Sequence, residues 1–117
     1  MQKITRIVVA TIKQFKKTKA TWLKYFRSGA NAGSPDEQLI NCGLCYDFAD
    51  AVVRKMGKKT RARRQNIPYE RMGKYCYGSH AWVRYRGKCY DSECPEGTKC
   101  WWNIPFFKRD REKLRKP

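Results

Sequence analysis

Arg86-Gly87 separates His80-Ala81-Trp82-Val83-Arg84-Tyr85 from Lys88-Cys89-Tyr90-Asp91-Ser92, and no other feature constrains the fold as tightly. Both runs are rich in aromatic and β-branched residues and read as strands. A two-residue turn between them makes an antiparallel hairpin and fixes its register. Tyr85 then faces Lys88, Trp82 faces Asp91 and His80 faces Glu93. Side chains alternate across a strand, so His80, Trp82, Arg84, Cys89, Asp91 and Glu93 share one face. Ala81, Val83, Tyr85, Tyr90 and Ser92 share the other, which is the expected core face. His80 and Asp91 become diagonal neighbours, about 7–8 Å apart between backbones. A three-residue loop would instead send Asp91 to the opposite face.

The rest of the chain reads as helices around that hairpin, giving an α+β fold. Ile4, Ile7, Val8, Ile12, Phe15, Trp22, Leu23 and Phe26 mostly fit one helical stripe over residues 3–26, with Lys and Arg opposite. The β-branched residues from Ile4 to Ile12 are also compatible with a strand. A basic amphipathic helix can lie on a membrane or on nucleic acid, but packing on the domain with a solvated basic face is the expectation. Residues 28–33 have loop composition. Ser34-Pro35-Asp36-Glu37 reads as a helix start, with Ser34 as N-cap, Pro35 at the first helical position and Glu37 closing a capping box. A second helix runs from about Cys42-Gly43 to Met56, stopped by Gly57, with Leu44, Phe48, Ala51, Val52 and Met56 buried. The run from Lys58 to Arg64 reads as a solvated loop ended by Ile67-Pro68, and Tyr75 to Tyr77 as a further strand. From Lys108 onwards the chain is a charged tail or terminal helix.

With 117 residues there is room for one domain, and 41% hydrophobic residues argue against disorder. Lys and Arg number 27 against 10 Asp and Glu, a net charge of +17 that favours polyanionic partners such as nucleic acid or an acidic protein. No apolar run approaches the ~20 residues needed to span a bilayer. Ile7 to Ala10 is too short for a secretory core and lysines follow it at once, so the chain is expected in a reducing cytoplasm. There its six cysteines are thiols, metal ligands or catalytic groups rather than a disulfide framework.

Three residues could carry chemistry together. Cys45 falls in the opening turn of the second helix, where unpaired N–H groups and the helix dipole lower a thiol's pKa. That activation is what a nucleophilic thiol needs. Ala49, one turn on, leaves space above the sulfur. Cys42 is the rival, but it is expected in the turn before the helix. His80 is the only histidine. Asp91 across the hairpin can fix its tautomer and favour its charged form, with Trp82 shielding the pair from water.

Gly43-Leu44-Cys45-Tyr46-Asp47-Phe48-Ala49 resembles the Gly-x-Cys-x-x-aromatic-Ala helix start of papain-like and transglutaminase-like enzymes. His80-Ala81-Trp82-Val83 and Tyr90-Asp91 are similar to their His and Asp segments, in the same order. The continuation from Ser92 to Gly97 and from Trp101 to Phe107 looks like small phage-encoded members. The resemblance covers about residues 41–108. It implies a papain-like domain over 34–108, flanked by a basic N-terminal segment and loop over 1–33 and a charged tail over 109–117. It further implies Cys45 as nucleophile, His80 as general base and acid, Asp91 as orienting group, a peptide or protein substrate, and no cofactor or metal in the reaction. Trp82 and Gln38 are the expected substrate contacts, although Gln38 is poorly placed for the oxyanion and the backbone N–H of Cys45 is the better donor. The cytoplasm would be that of a phage-infected host.

Two other classes stay open. Cys42-x-x-Cys45 is half of a zinc-knuckle spacing, and Cys76, Cys89, Cys94 and Cys100 could complete a structural site. A non-catalytic domain of the same fold could instead bind nucleic acid or an acidic protein, as a phage-encoded inhibitor would.

Overall fold

Ile4, Thr5, Val8, Thr11, Ile12 and Phe15 recur at helical spacing and are all buried along α1 (Lys3–Thr18). The β-branched residues therefore form a helix and not a strand. Burying the whole stripe outweighs a propensity deficit of at most ~0.7 kcal/mol per residue. The chain breaks at Lys19 and restarts as α2 (Ala20–Phe26), which shifts the helical phase. Leu23 stays in the core, while Trp22 leaves the expected stripe and is 54% exposed. The computed structural model describes residues 1–67 and 79–115, so the expected strand at Tyr75–Tyr77, and Cys76 with it, lie outside the described residues.

α3 (Asp36–Gly43) begins one residue later than a Ser34 cap requires. Pro35 takes the cap position in extended backbone, and no side chain caps the helix because proline carries no side-chain acceptor. The first turn is stabilised by charge instead. Asp36 pairs with Arg27 and Glu37 with Lys16, both at the positive end of the helix. Cys42 lies within this helix and not in the following turn. Gly43 closes it where a Cβ would come 2.6 Å from the ring of Phe26. After Leu44 the chain starts α4 (Cys45–Met56), ended as expected by Gly57 at φ 89°.

The sheet is antiparallel in the order β1 (Arg63–Asn66), β2 (Ala81–Tyr85), β3 (Lys88–Asp91), β4 (Cys94–Thr98). Arg86 and Gly87 have φ of 46° and 78°, the positive pair of a type I′ turn. Tyr85 pairs with Lys88, Arg84 with Cys89 and Val83 with Tyr90, the register the two-residue turn dictates. The basic run after Met56 is not all loop. Lys58–Thr60 is a 3₁₀ turn, and Arg63–Asn66 hydrogen-bonds along β2 as an edge strand, which needs no apolar side chains of its own. At the opposite edge β4 tolerates Pro95. Gly97, at φ 79°, passes where a Cβ would sit 2.6 Å from the buried Tyr90 ring.

Both faces of the hairpin are buried, not one. Val83 and Tyr90 join α1, α3 and α4 in the larger apolar cluster. Trp82 and Cys89, on the face expected to be open, pack with Ile67, Ile104 and Phe107. The second layer comes from the C-terminal helix α5 (Pro105–Arg115), whose charged sequence conceals a buried side at Phe107 and Asp110. Among the described residues this makes five helices and one four-stranded sheet, and no helix is long and apolar enough to cross a membrane.

Candidate active site

α4 begins against the start of β2, and its first residue is Cys45. Burial pushes the Cys45 thiol up, but the His80 side chain and the backbone N–H groups of Ala81 and Tyr46 outweigh it, so the pKa falls below the usual 9.0. Tyr46 belongs to the helix's first turn, whose N–H groups have no intrahelical partner. Ala81 is the first residue of the strand that follows His80.

His80 is wholly buried, and its Nε2 lies 2.8 Å from Asp91 Oδ2, which is 2% exposed. Burial alone would lower the imidazole pKa; Asp91, and after it Cys45, raise it to about 9. With Nε2 held by Asp91, Nδ1 is the nitrogen left for the thiol. It is buried and makes no closed hydrogen bond, a looseness usual for a catalytic pair without substrate. The opposed shifts favour thiolate and imidazolium side by side.

Asp91 is fixed from three directions. Besides the imidazole, the Glu93 backbone N–H donates to Oδ1 at 2.9 Å and Asn41 Nδ2 donates to Oδ2 at 3.4 Å. Asn41 also donates to Glu93 Oε1 at 3.0 Å, and both Glu93 oxygens accept from Arg109 at 2.6 and 2.7 Å. A hydrogen-bonded relay thus runs from the half-buried Arg109 on α5 through the turn after β3 to the buried imidazole.

Water is kept off the imidazole by rings. Phe106 stacks on it at 4.2 Å with planes 14° apart, and Phe107 and Trp82 stand at 5.5 and 6.2 Å. Trp82 does border the pair, but at 2% exposure it faces the core, donating from its indole to Gln65 Oε1. Gln38 stands one turn too early on α3, where its backbone carbonyl accepts from the Cys42 thiol. Asn41, three residues on, is the polar side chain that α3 turns toward Asp91.

No protein-family model, curated protein or solved structure matches the chain.

Among the described residues no three His, Cys, Asp or Glu side chains gather as a metal site requires. Cys42 and Cys45 sit on different helices, and Cys45 is engaged with His80. Burial raises the Cys89 thiol and takes Cys94 to about 11, so neither is activated. The sequence reading missed Asn41, Phe106 and Arg109. Asn41 had a signal, a lone polar residue beside Leu39 and Ile40 on a helix face that becomes fully buried. For Arg109 there was none, because the charged run from Lys108 does not reveal which guanidinium finds a carboxylate.

Proposed function

We propose that the protein is a cysteine-dependent hydrolase or acyl transferase acting on an amide or peptide-type bond through Cys45, His80 and Asp91. One observation carries the reading: a fully buried histidine is held by a buried carboxylate at 2.8 Å, and beside it a thiol at a helix start is shifted toward thiolate. A buried imidazolium–carboxylate pair is costly to desolvate. Coupled to an activated thiol, it supplies a nucleophile and a proton donor together.

In this mechanism the Cys45 thiolate attacks the carbonyl carbon, forming a C–S bond while the carbonyl π pair moves onto oxygen. The backbone N–H of Cys45, at the first helical position and without an intrahelical partner, is a donor for that oxyanion. Collapse of the intermediate breaks the C–N bond, and His80 gives its proton to the departing amine. His80 then takes a proton from water or an acceptor amine, which attacks the thioester and regenerates the thiolate. Asp91 keeps the imidazole oriented throughout. Cys45 has the largest exposure of the three, 7%, which fits approach of the substrate from the sulfur side. The α+β arrangement, a nucleophile helix against an antiparallel sheet bearing His and Asp, accords with a papain-like core.

The test is alkylation by iodoacetamide in a background with Cys42, Cys76 and Cys100 changed to serine. At pH 6–7 Cys45 should react selectively, and His80→Ala should slow it at least ~10-fold, one pH unit of lost thiolate. An activity-based acyl probe should add one acyl group to Cys45. Equal rates in the presence and absence of His80 would overturn the assignment.

A further inference from the structure

At the end of β2 opposite His80, Arg61, Arg63, Arg84 and Arg86 line an open groove of about 400 Å³ around Tyr85, and no carboxylate lines it. Arg63 and Arg84 are direct cross-strand partners. Like charges so placed repel and destabilise the pairing. Arg61 and Arg86 hold φ of 62° and 46°, a left-handed backbone that is strained for a non-glycine residue. Among the described residues the ion pairs to Asp and Glu from basic side chains engage Lys16, Arg27, Arg64 and Arg109, none of the four in the groove. Arg84 reaches only Cys89 Sγ and the Lys99 carbonyl, each at 3.4 Å, which orients the guanidinium without neutralising it. Arg86 lies 5.3 Å over the Tyr85 ring.

Four like charges are thus collected against both electrostatic and backbone cost, an arrangement that becomes favourable when an outside polyanion neutralises it. We infer that this groove binds the phosphate backbone of a single-stranded nucleic acid. Guanidinium forks match phosphates and carboxylates alike, so the choice rests on two further features. Tyr85 lines the groove with a half-buried ring that packs on the larger apolar cluster and lies under the Arg86 guanidinium, a planar pair whose guanidinium face can stack on a base and which an acidic peptide or a lipid headgroup would leave unused. The concave shape admits a strand and not a membrane plane. The +17 net charge adds long-range attraction. The inference is independent of Cys45.

Fluorescence anisotropy of a labelled single-stranded oligonucleotide with the full-length chain tests it. Arg61→Asn with Arg86→Asn removes two groove charges and supplies a residue that tolerates left-handed backbone. This variant should keep or gain thermal stability while losing roughly tenfold in affinity. Arg63→Gln with Arg84→Gln should lose a similar factor, and each pair should flatten the log–log salt dependence by about 1.4. Lys3→Gln with Lys17→Gln removes equal charge from exposed positions on α1 and should change affinity less than about twofold. Equal loss in that control would overturn the groove. Tighter binding to polyglutamate or to phosphatidylserine vesicles than to the oligonucleotide would overturn the choice of partner.

Discussion

The two ends of the β2–β3 hairpin handle charge in opposite ways. At one end His80 and Asp91 are buried at 0% and 2% exposure, and the carboxylate is held by Glu93, Asn41 and the imidazole together. At the other, Arg84 and Arg86 face solvent beside Arg63 with no acidic group in the groove. A charge taken out of water must find its partner inside the protein, whereas an exposed one can wait for a partner from outside. The same hairpin register sets both ends, since the turn at Arg86-Gly87 aligns Arg84 with Cys89 and carries Asp91 to His80.

The strongest way to break this contrast is to strip the buried end of its carboxylate. Asp91→Ala leaves His80 buried without a charge partner and the Glu93 N–H without its acceptor. Removing one member of a buried pair costs about 3–5 kcal/mol. Denaturant unfolding at pH 7 should show that loss, and Asp91→Asn, which keeps shape, should lose less. A loss below ~1 kcal/mol for Asp91→Ala would show that the pair contributes little to the fold.

pH offers a second, smaller lever. Because the His80 pKa is raised to about 9, the native state keeps a proton that the unfolded chain releases from about 6.5 upward. Taken alone, this contributes stability in full below about pH 6.5 and loses it as pH rises through 9. Cys45 works in the opposite sense: its pKa is lowered, so its contribution is complete above 9.0 and is lost as pH falls through the lowered value. At pH values above both 6.5 and the lowered Cys45 value, and up to about 9, native and unfolded chains hold equal protons on the pair, and its net contribution should be flat. Cys45→Ala removes the balancing group but leaves Asp91, the leading cause of the rise. Its stability should then decline with pH above 6.5, by at most about 1.4 kcal/mol per unit. Parallel wild-type and Cys45→Ala profiles would show that the two groups do not share a proton balance.

How far the sequence spoke follows the same division. The turn fixed the hairpin register, and with it the approach of Asp91 to His80, because a two-residue loop leaves no alternative pairing. Gly57 stopped α4 where a left-handed residue was required. What stayed hidden depended on contacts distant in the chain. The run at Arg63–Asn66 carries no apolar alternation, so only its pairing with β2 makes it a strand. In α5 the apolar residues Phe106 and Phe107 precede an apparently solvated run, and nothing local says that Phe106 will stack on an imidazole 26 residues earlier. Asn41 could be marked as buried and polar, but its carboxylate partners come from the far side of the fold.

The smallest effect belongs to the exposed end, and a double-mutant cycle on Arg63 and Arg84 isolates it. If the directly opposed guanidiniums repel, Arg63→Gln and Arg84→Gln should each relieve the same strain, and the double variant should gain less than the sum. The coupling should be about 0.2–1 kcal/mol in thermal or denaturant unfolding at low salt. It should fade in 1 M salt, where screening acts over ~3 Å. Addition of an oligonucleotide should stabilise the wild type more than either variant, since the stability a native-state ligand adds grows with the logarithm of its affinity. A cycle with zero or attractive coupling would mean that the arginines coexist without cost. The solvent-facing end would then be an ordinary hydrated surface rather than one waiting for an anion.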